Sequence, residues 1–230
     1  DKKTPIFILK FLENRNLIRR LKEMKFKNIN EIDAWKKYKI DKFTSMTIIP
    51  SDQGFVDSSA LIQYKNYSVY HGNDCVLFPK TIKKISKLAK IDIAFMPYAG
   101  FSGFPSSYEF SYKTKKRLAE KKKREALESF YTSVKNLNPD KAVPAAGDLI
   151  IVGKGKAWVN YFDRASPLEA IRKAPKIIKN KIIDMRPGDI YSPKNRIKIF
   201  RKNKKWKYNT KSQEKFYAQP YVKKEVENYN

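Results

Sequence analysis

The sequence predicts a globular α/β protein in which strands and helices form layers. Apolar residues make up 41% of the 230 residues and aromatic residues 13%, which is too much for a disordered basic chain. A chain of this length also suffices for one large domain or two small ones with a hydrophobic core. Apolar runs of strand length alternate with segments in which apolar residues recur at helical spacing. We therefore expect a layered α/β fold.

The pattern of the first 71 residues predicts a strand, a helix and then hairpins. The apolar run at 5–9 follows a proline and suits a buried strand. Asn16 can cap a helix on which Leu17 and Leu21 recur on one side. Short β-prone stretches separated by turn residues such as Asn66 are typical of hairpins. These stretches cover residues 28–32, 43–49, 56–64 and 68–71.

From residue 73 onward, apolar residues first recur at helical spacing and then form a run of strand length. Apolar residues recur at helical spacing over 82–89, and a run at 91–96 that ends at Pro97 suits a buried strand. The segment 99–105 contains two glycines, which predicts a loop. The longest helix signal ends at Asn138-Pro139, a helix stop. The remaining elements are that helix over 112–137, a strand over 142–145, a helix over 167–173 and a turn at 187–188.

The composition changes beyond about residue 191. Residues 194–211 are dense in Lys, Arg and Asn, with Trp206 and Tyr208 between them. We expect a domain over 1–190, followed by a basic carboxyl-terminal strap or hairpin over 191–230 that packs on it.

The net charge of +27 allows several interpretations. Such an excess occurs in nucleic-acid binders, in proteins that meet anionic membranes or substrates, and in proteins of Lys-rich organisms. Basic runs at 113–117 and 121–124 lie on the predicted long helix. They suit phosphate binding, but a solvated helix face explains them as well. Aromatic residues within 194–211 suit base stacking or a hairpin edge. Nucleic acid is therefore a possible partner that the sequence does not favour.

One cysteine and one histidine exclude several chemistries. The chain alone can form neither an internal disulfide, nor a four-ligand Cys/His zinc site, nor a Rieske cluster. There is no apolar run of about 18 residues and no signal peptide, so we expect a cytoplasmic protein without a membrane partner. The chain begins with Asp1 rather than Met, and we expect it to be a fragment.

One group of chemically capable side chains follows the predicted strand at 68–71. His71, Asn73 and Asp74 surround a glycine at the end of a strand, where layered α/β folds place ligands. An ordinary turn, in which Asp74 only caps the next helix, is the alternative. Cys75 is expected to be a small buried residue rather than a nucleophile.

Several motifs occur in a fixed order along residues 4 to 190. After a strand, a helix and the lone Trp35 come Asn73-Asp-Cys75, Tyr98-Ala-Gly100, Ser102-Gly-Phe-Pro105, Asn136-Leu-Asn-Pro139, Pro144-Ala-Ala-Gly147 and Arg186-Pro-Gly188. This order resembles the second half of a metallo-β-lactamase-fold domain. The branch it resembles most includes the CMP-N-acetylneuraminate hydroxylase and related amino-sugar hydroxylases.

The resemblance implies an αββα sandwich with a metal site at one sheet edge. Asp74 matches an aspartate that ligates the metal in metal-bound members, and carboxylate oxygen suits zinc or iron. Around that site the resemblance suggests supporting or pocket roles for His71, Asn73, Tyr98, Ser102 and Asp148. Contacts with an anionic substrate would come from Lys113, Lys116 and Arg186.

The sequence also departs from that family. The His-x-His-x-Asp-His signature and the Rieske motifs are absent, and Pro97-Tyr98 stands where a last histidine is usual. We therefore expect a carboxyl-terminal half that packs on a missing amino-terminal half, which supplies most metal ligands. The expected function is that of a metal-dependent hydrolase, or of a hydroxylase if a Rieske domain precedes it, acting on an anionic, sugar- or nucleotide-linked small molecule. The alternative is a non-catalytic RNA- or DNA-binding module.

Overall fold

The computed structural model describes residues 1–11, 15–53, 57–100, 102–147, 159, 162–185 and 189–192. The predicted site residues Asp148 and Arg186, and residues 193–230 of the predicted strap, lie outside these ranges. The chain divides into two units. Unit 1 consists of Asp1–Pro97 and Ser133–Ala142, and unit 2 consists of Tyr98–Thr132 and Val143–Asn230.

The described residues form eight strands and five helices. The strands are β1 (Ile6–Leu9), β2 (Ile29–Ile32), β3 (Lys37–Lys39), β4 (Thr44–Pro50), β5 (Ser58–Tyr64), β6 (Tyr67–His71), β7 (Ile93–Pro97) and β8 (Lys141–Ala145). The helices are α1 (Arg15–Glu23), α2 (Pro79–Ser86), α3 (Tyr112–Leu137), α4 (Pro167–Lys173) and α5 (Lys176–Lys179).

The strands form two sheets; β1 to β7 belong to unit 1, whereas β8 begins in unit 1 and ends in unit 2. Strands β1 and β2 form a parallel pair, and the larger sheet has the order β3-β4-β5-β6-β7-β8. Neighbours from β3 to β6 are antiparallel, whereas β6 and β7 are parallel. Leu9 and Ile32 of the small sheet form one buried cluster with Ile48 of the large sheet. Sheet-on-sheet packing through apolar side chains is the expected core of a layered α/β fold.

Most predicted elements are confirmed, and α3 and α4 have the predicted bounds. Strand β3 was not predicted, because three residues that include two lysines give no apolar run; it forms by pairing Lys37 with Thr47 and Lys39 with Ser45 of β4. The short helix α5 was also missed.

Helix α1 differs from the prediction in two respects. It begins at Arg15, so that Asn16 lies in the first turn instead of capping the helix. None of its residues is buried, although Leu17 and Leu21 recur at helical spacing. Amphipathic spacing alone therefore did not place this helix against the core.

The core of unit 2 forms around the first part of α3. Tyr98 and Phe130 are both almost fully buried, and their rings meet edge to face with centroids 6.3 Å apart. The Tyr131 hydroxyl donates a hydrogen bond of 2.7 Å to the Ala170 carbonyl, which ties α4 to α3. No helix among the described residues is both long and apolar enough to cross a membrane.

We expect Gly147→Ala to destabilise the protein. A Cβ atom at Gly147 would lie 2.9 Å from the Cβ and carbonyl oxygen of Ala99 and from Cε1 of Tyr98. Overpacking of this kind costs about 1–3 kcal/mol in the free energy of unfolding. Gly100→Ala is the matched control, since a Cβ there meets nothing within 4 Å, and its effect should stay within about 0.5 kcal/mol. Urea denaturation compares the two; equal effects would contradict the packing described here.

Candidate functional site

A pocket in unit 1 forms where two connections meet at one end of the large sheet. In the antiparallel pair of β5 and β6, Ala60 lies opposite His71. The beginning of β5 is therefore next to the end of β6. The residues before β5 and the turn after β6 come together there.

Hydrogen bonds fix these two connections to each other. The Asp52 carboxylate accepts from the Phe78 backbone N–H at 2.7 Å and from the Thr81 hydroxyl at 2.9 Å. It thereby satisfies backbone and side-chain donors at the start of α2, a position that favours negative charge. The Val76 carbonyl accepts from the backbone N–H of Asp52 at 3.1 Å and from the Ser51 hydroxyl at 3.3 Å.

The turn after β6 depends on its sequence. The Gly72 N–H donates to the Phe95 carbonyl at 2.7 Å, and a Cβ at Gly72 would lie 3.0 Å from that oxygen and from Cδ of Pro97. Asn73 then adopts a left-handed conformation with φ of 53°, which asparagine tolerates better than most residues. This turn directs the next residue, Asp74, toward the beginning of β5.

Two carboxyl groups meet in this pocket. The side chains of Asp57 and Asp74 are hydrogen-bonded. This bond above all, and then burial and the charge of Asp57, raise the pKa of Asp74, while a backbone hydrogen bond of Asp74 lowers it. Asp57 also accepts from the Asn73 amide at 2.8 Å and from the Ser58 backbone N–H at 2.7 Å. The hydrogen bond between the two carboxyl groups requires a shared proton, and it favours the protonated form of Asp74.

The pocket has a volume of about 510 Å³, within the range of small-molecule sites. Its lining residues are Ser51, Gln53, Asp57, Asp74 and Val76. Of these, only Asp74 was predicted as a site residue. Asp57 was missed, although its position just before β5 signalled it: antiparallel pairing with β6 brings it to the turn that contains Asp74.

His71 and Cys75 flank the pocket turn without lining the pocket. Nδ1 of His71 accepts from the Asn73 backbone N–H at 3.2 Å, and its exposed ring stacks on Phe95. Cys75 is buried, and burial raises the pKa of its thiol to about 12, with the negative charge of Asp57 adding to the effect. The thiol therefore stays protonated, in agreement with a small buried residue rather than a nucleophile.

The pocket offers an incomplete set of metal ligands. Within the described ranges, no group of three or more His, Cys, Asp and Glu side chains is arranged to hold a metal ion. Asp57 and Asp74 provide two carboxylates, which zinc or iron accepts. The fit is thus partial, and these two residues would fill about half of a four-ligand zinc site.

The other predicted site residues belong to unit 2. The ring of Tyr98 is buried against Phe130, Ser102 is exposed on its loop, and Lys113 and Lys116 are exposed on α3. Asp148 and Arg186 are outside the described residues.

Unit 2 contains an ion pair that the sequence did not predict. Nζ of Lys122 lies 3.0 Å from a carboxylate oxygen of Asp163, and the two side chains are only 18% and 9% exposed. The same ammonium donates to the Phe104 carbonyl at 2.8 Å and to the Ser102 hydroxyl at 3.2 Å. Lys122 lies in the run 121–124, which was interpreted as a solvated or phosphate-binding face. For this residue that interpretation is wrong, because its side chain points inward and holds the loop.

Comparison with solved structures identifies the fold. A metallo hydrolase from the archaeon Ignicoccus hospitalis matches with a TM-score of 0.52 at 19% identity, covering 80% of this chain and 66% of the other. An isothiocyanate hydrolase from Delia radicum gut bacteria matches with a TM-score of 0.51 at 11% identity, covering 81% and 66%. The mixed α/β architecture is similar to the metallo-β-lactamase fold of its structural neighbours, as predicted. The chain spans 66% of the length of each of these two proteins. No protein-family model and no curated protein matches the sequence.

We expect Asp74→Asn to stabilise the protein more at pH 7.5 than at pH 4. Because the folded-state pKa of Asp74 is raised, the stabilising contribution of its protonated form is present at low pH and is lost as the pH rises through that pKa. An asparagine stays neutral and still donates to Asp57 at either pH. The measurement is the free energy of unfolding in urea at both values.

Asp140→Asn is the control for this experiment. Asp140 pairs with Lys90 at 3.0 Å outside the pocket, and this pair needs the charged carboxylate, so its removal should bring no gain at high pH. If Asp74→Asn changed stability equally at pH 4 and pH 7.5, the shared proton would be refuted.

We expect Lys122→Met to destabilise the protein by about 3 kcal/mol, since it leaves the buried Asp163 carboxylate without its cation. Lys121→Met is the matched control. The pair of Lys121 with Glu125 is exposed, with an N–O distance of 3.7 Å, and such pairs contribute less than about 1 kcal/mol. Thermal or urea unfolding measures both variants, and similar losses would show that Lys122 has no special role.

Proposed function

We propose that this chain is the carboxyl-terminal part of a metal-dependent hydrolase with the metallo-β-lactamase fold, and that Asp74 supplies a carboxylate ligand to a divalent metal, zinc or iron. The observation that carries the proposal is the Asp57–Asp74 pair at a pocket of about 510 Å³. Both solved structures described above are named as hydrolases. The substrate is an anionic small molecule, linked to a sugar or a nucleotide.

The carboxyl pair suits a cation for an electrostatic reason. Two neighbouring carboxylates repel each other, and either a shared proton or a metal ion relieves that repulsion. Asp57 and Asp74 would hold a divalent ion, which would supply Lewis acidity for the activation of a water molecule. Asp57 is held in place by the Asn73 amide and the Ser58 N–H, so its position does not depend on the ion. His71 orients this same turn through the Asn73 N–H.

The remaining ligands come, in this proposal, from a preceding half of the domain. The single histidine cannot provide the histidine cluster of the family, and this half is therefore the proposed partner of the chain. The resemblance to the CMP-N-acetylneuraminate hydroxylase branch keeps a hydroxylase as the variant, which requires a Rieske domain upstream. A cytoplasmic location belongs to the same proposal.

Substrate contacts are assigned to residues that the resemblance indicated. Lys113, Lys116 and Arg186 would meet the phosphate or carboxylate of the substrate, and Arg is suited to this by its two-pronged donor geometry. Tyr98, Ser102 and Asp148 would contribute to the pocket in the complete protein. The exposure of both lysines on α3 supports a role in binding rather than in the core.

Removal of the Asp74 carboxylate should weaken metal binding. Zn²⁺ titration by calorimetry is expected to give an affinity at least about tenfold lower for Asp74→Ala than for the unaltered chain, the loss typical of ligand and supporting residues. Asp140→Ala is the control, since it removes a carboxylate outside the pocket. In the protein that includes the preceding half, the same variant should lose hydrolysis of a nucleotide p-nitrophenyl ester. Unchanged Zn²⁺ affinity in Asp74→Ala would disprove the proposed ligand.

A further inference from the structure

Two turns of unit 1 place aromatic rings and lysines together at one end of the large sheet. We call Lys42, Phe43, Tyr64 and Lys65 the basic turn pair. Lys42 and Phe43 belong to the turn between β3 and β4, and Lys65 to the turn between β5 and β6. The turns are neighbours because Thr44 pairs with Tyr64 in the sheet. The Lys65 N–H also donates to the Phe43 carbonyl at 3.1 Å.

The first turn is fixed by its own hydrogen bonds. The Asp41 carboxylate accepts from the backbone N–H groups of Phe43 and Thr44 at 2.7 and 2.8 Å. These bonds, that of Phe43 first, lower the pKa of Asp41. The Asp41 carboxylate therefore stabilises the turn through its hydrogen bonds. The backbone of the turn at Phe43 is thus held in place before any ligand binds.

Cations and rings alternate on the surface of the basic turn pair. Phe43 and Tyr64 are 48% and 46% exposed, and their rings meet edge to face at 6.3 Å. Nζ of Lys65 lies 4.8 Å from the centroid of Phe43 and 5.3 Å from that of Tyr64. Nζ of Lys42 lies 5.3 Å from the Phe43 centroid.

The lysines of this surface are available to a ligand. Neither Lys42 nor Lys65 forms an ion pair with any residue that the structure describes. The exposed Lys39 adds a third cation near Asp41, whose carboxylate it stabilises. With Asp41 included, the local charge is positive, so the surface is complementary to an anion.

We propose that the basic turn pair binds single-stranded nucleic acid. Along a single strand phosphates alternate with bases. The ammonium groups, about 5 Å from the ring centroids, are carried on flexible side chains, so they can turn toward phosphates and leave the faces of Phe43 and Tyr64 to the bases. Stacking on aromatic side chains combined with phosphate contacts is the general mode of sequence-independent single-strand binding. A double strand hides its base faces and offers only phosphates.

An anionic bilayer is the competing occupant, and the geometry favours it less. Rings that anchor a protein in a membrane enter its apolar layer while the cations stay among the headgroups. Here Phe43 and Tyr64 are only 48% and 46% exposed, which leaves ring surface for a base to stack on but limits how far either ring can enter an apolar layer.

This surface differs from the basic runs that the sequence indicated. The runs at 113–117 and 121–124 lie on α3, and 194–211 lies outside the described residues. The basic turn pair comes from single lysines in two separate turns, which only the strand pairing brings together. The inference does not rest on the proposed metal site and can fail or succeed independently of it.

The test is binding of the full chain to a fluorescein-labelled oligothymidylate, followed by fluorescence anisotropy between about 50 and 200 mM salt. The double variant Lys42→Gln/Lys65→Gln should reduce the slope of log affinity against log salt by about 1.4, or about 0.7 for each phosphate that the variant no longer neutralises. Lys80→Gln/Lys83→Gln on α2 removes two exposed lysines as well and serves as the charge-matched control, with the slope of the unaltered chain.

A second variant isolates base stacking. Phe43→Leu keeps an apolar side chain of similar size and removes the ring, so that the chain should still fold. It should weaken binding of the oligothymidylate by about fivefold or more. Binding of heparin, a polyanion without bases, should not change.

Three outcomes would overturn the proposal. The first is equal oligothymidylate binding by Lys42→Gln/Lys65→Gln and by Lys80→Gln/Lys83→Gln. The second is a Phe43→Leu effect that is the same for heparin, or absent for both ligands. The third is sedimentation with phosphatidylserine-containing vesicles that Phe43→Leu abolishes while oligothymidylate binding persists, which would assign the surface to a membrane.

Discussion

The hydrogen bond between the carboxyl groups of Asp57 and Asp74 is the interaction on which the candidate site depends. It exists because β5 and β6 pair so that the start of one strand adjoins the end of the other. Gly72 allows the chain to turn close to β7, and Asp52 fixes the following helix to the neighbouring connection. Backbone geometry thus holds the two carboxyl groups together, and the hydrogen bond between them is the main cause of the raised pKa of Asp74.

In unit 2 a shielded ion pair between Lys122 and Asp163 stabilises a loop. Lys122 is nearly buried, and its ammonium reaches Asp163 together with the carbonyl of Phe104. A buried cation needs several such partners, because desolvation is costly and one carboxylate seldom compensates for it. The loop that contains Ser102 therefore takes its position from a side chain of α3. The net charge of the protein is +27, but this lysine stabilises the fold through its ion pair and is not available to bind a polyanion.

Most elements could be predicted because their apolar spacing and stop signals are local. The bounds of α3 follow from its helical period and from Asn138, whose φ is 52°. Strand β3 could not be predicted, since pairing with β4 rather than its own composition forms it. Asp57 was predictable in principle from hairpin pairing. The ion pair of Lys122 was not, because nothing in a run of four basic residues shows which side chains are shielded from solvent or which carboxylate they contact.

The same limit applies to the basic turn pair, whose lysines come from two separate turns and are adjacent only after β4 and β5 pair. Net charge alone therefore located neither the buried lysine nor this surface. What the sequence did identify was the order of motifs, and with it the fold that the solved structures share.

A carbon-13 NMR titration of the Asp74 carboxyl group, with and without Zn²⁺, tests the carboxyl pair directly. We expect Asp74 to titrate above the usual range of aspartate, about 3.9 in model peptides, and Zn²⁺ to lower its apparent pKa by displacing the shared proton. Titration at the usual value, unaffected by Zn²⁺, would contradict both the carboxyl pair and the metal site built on it.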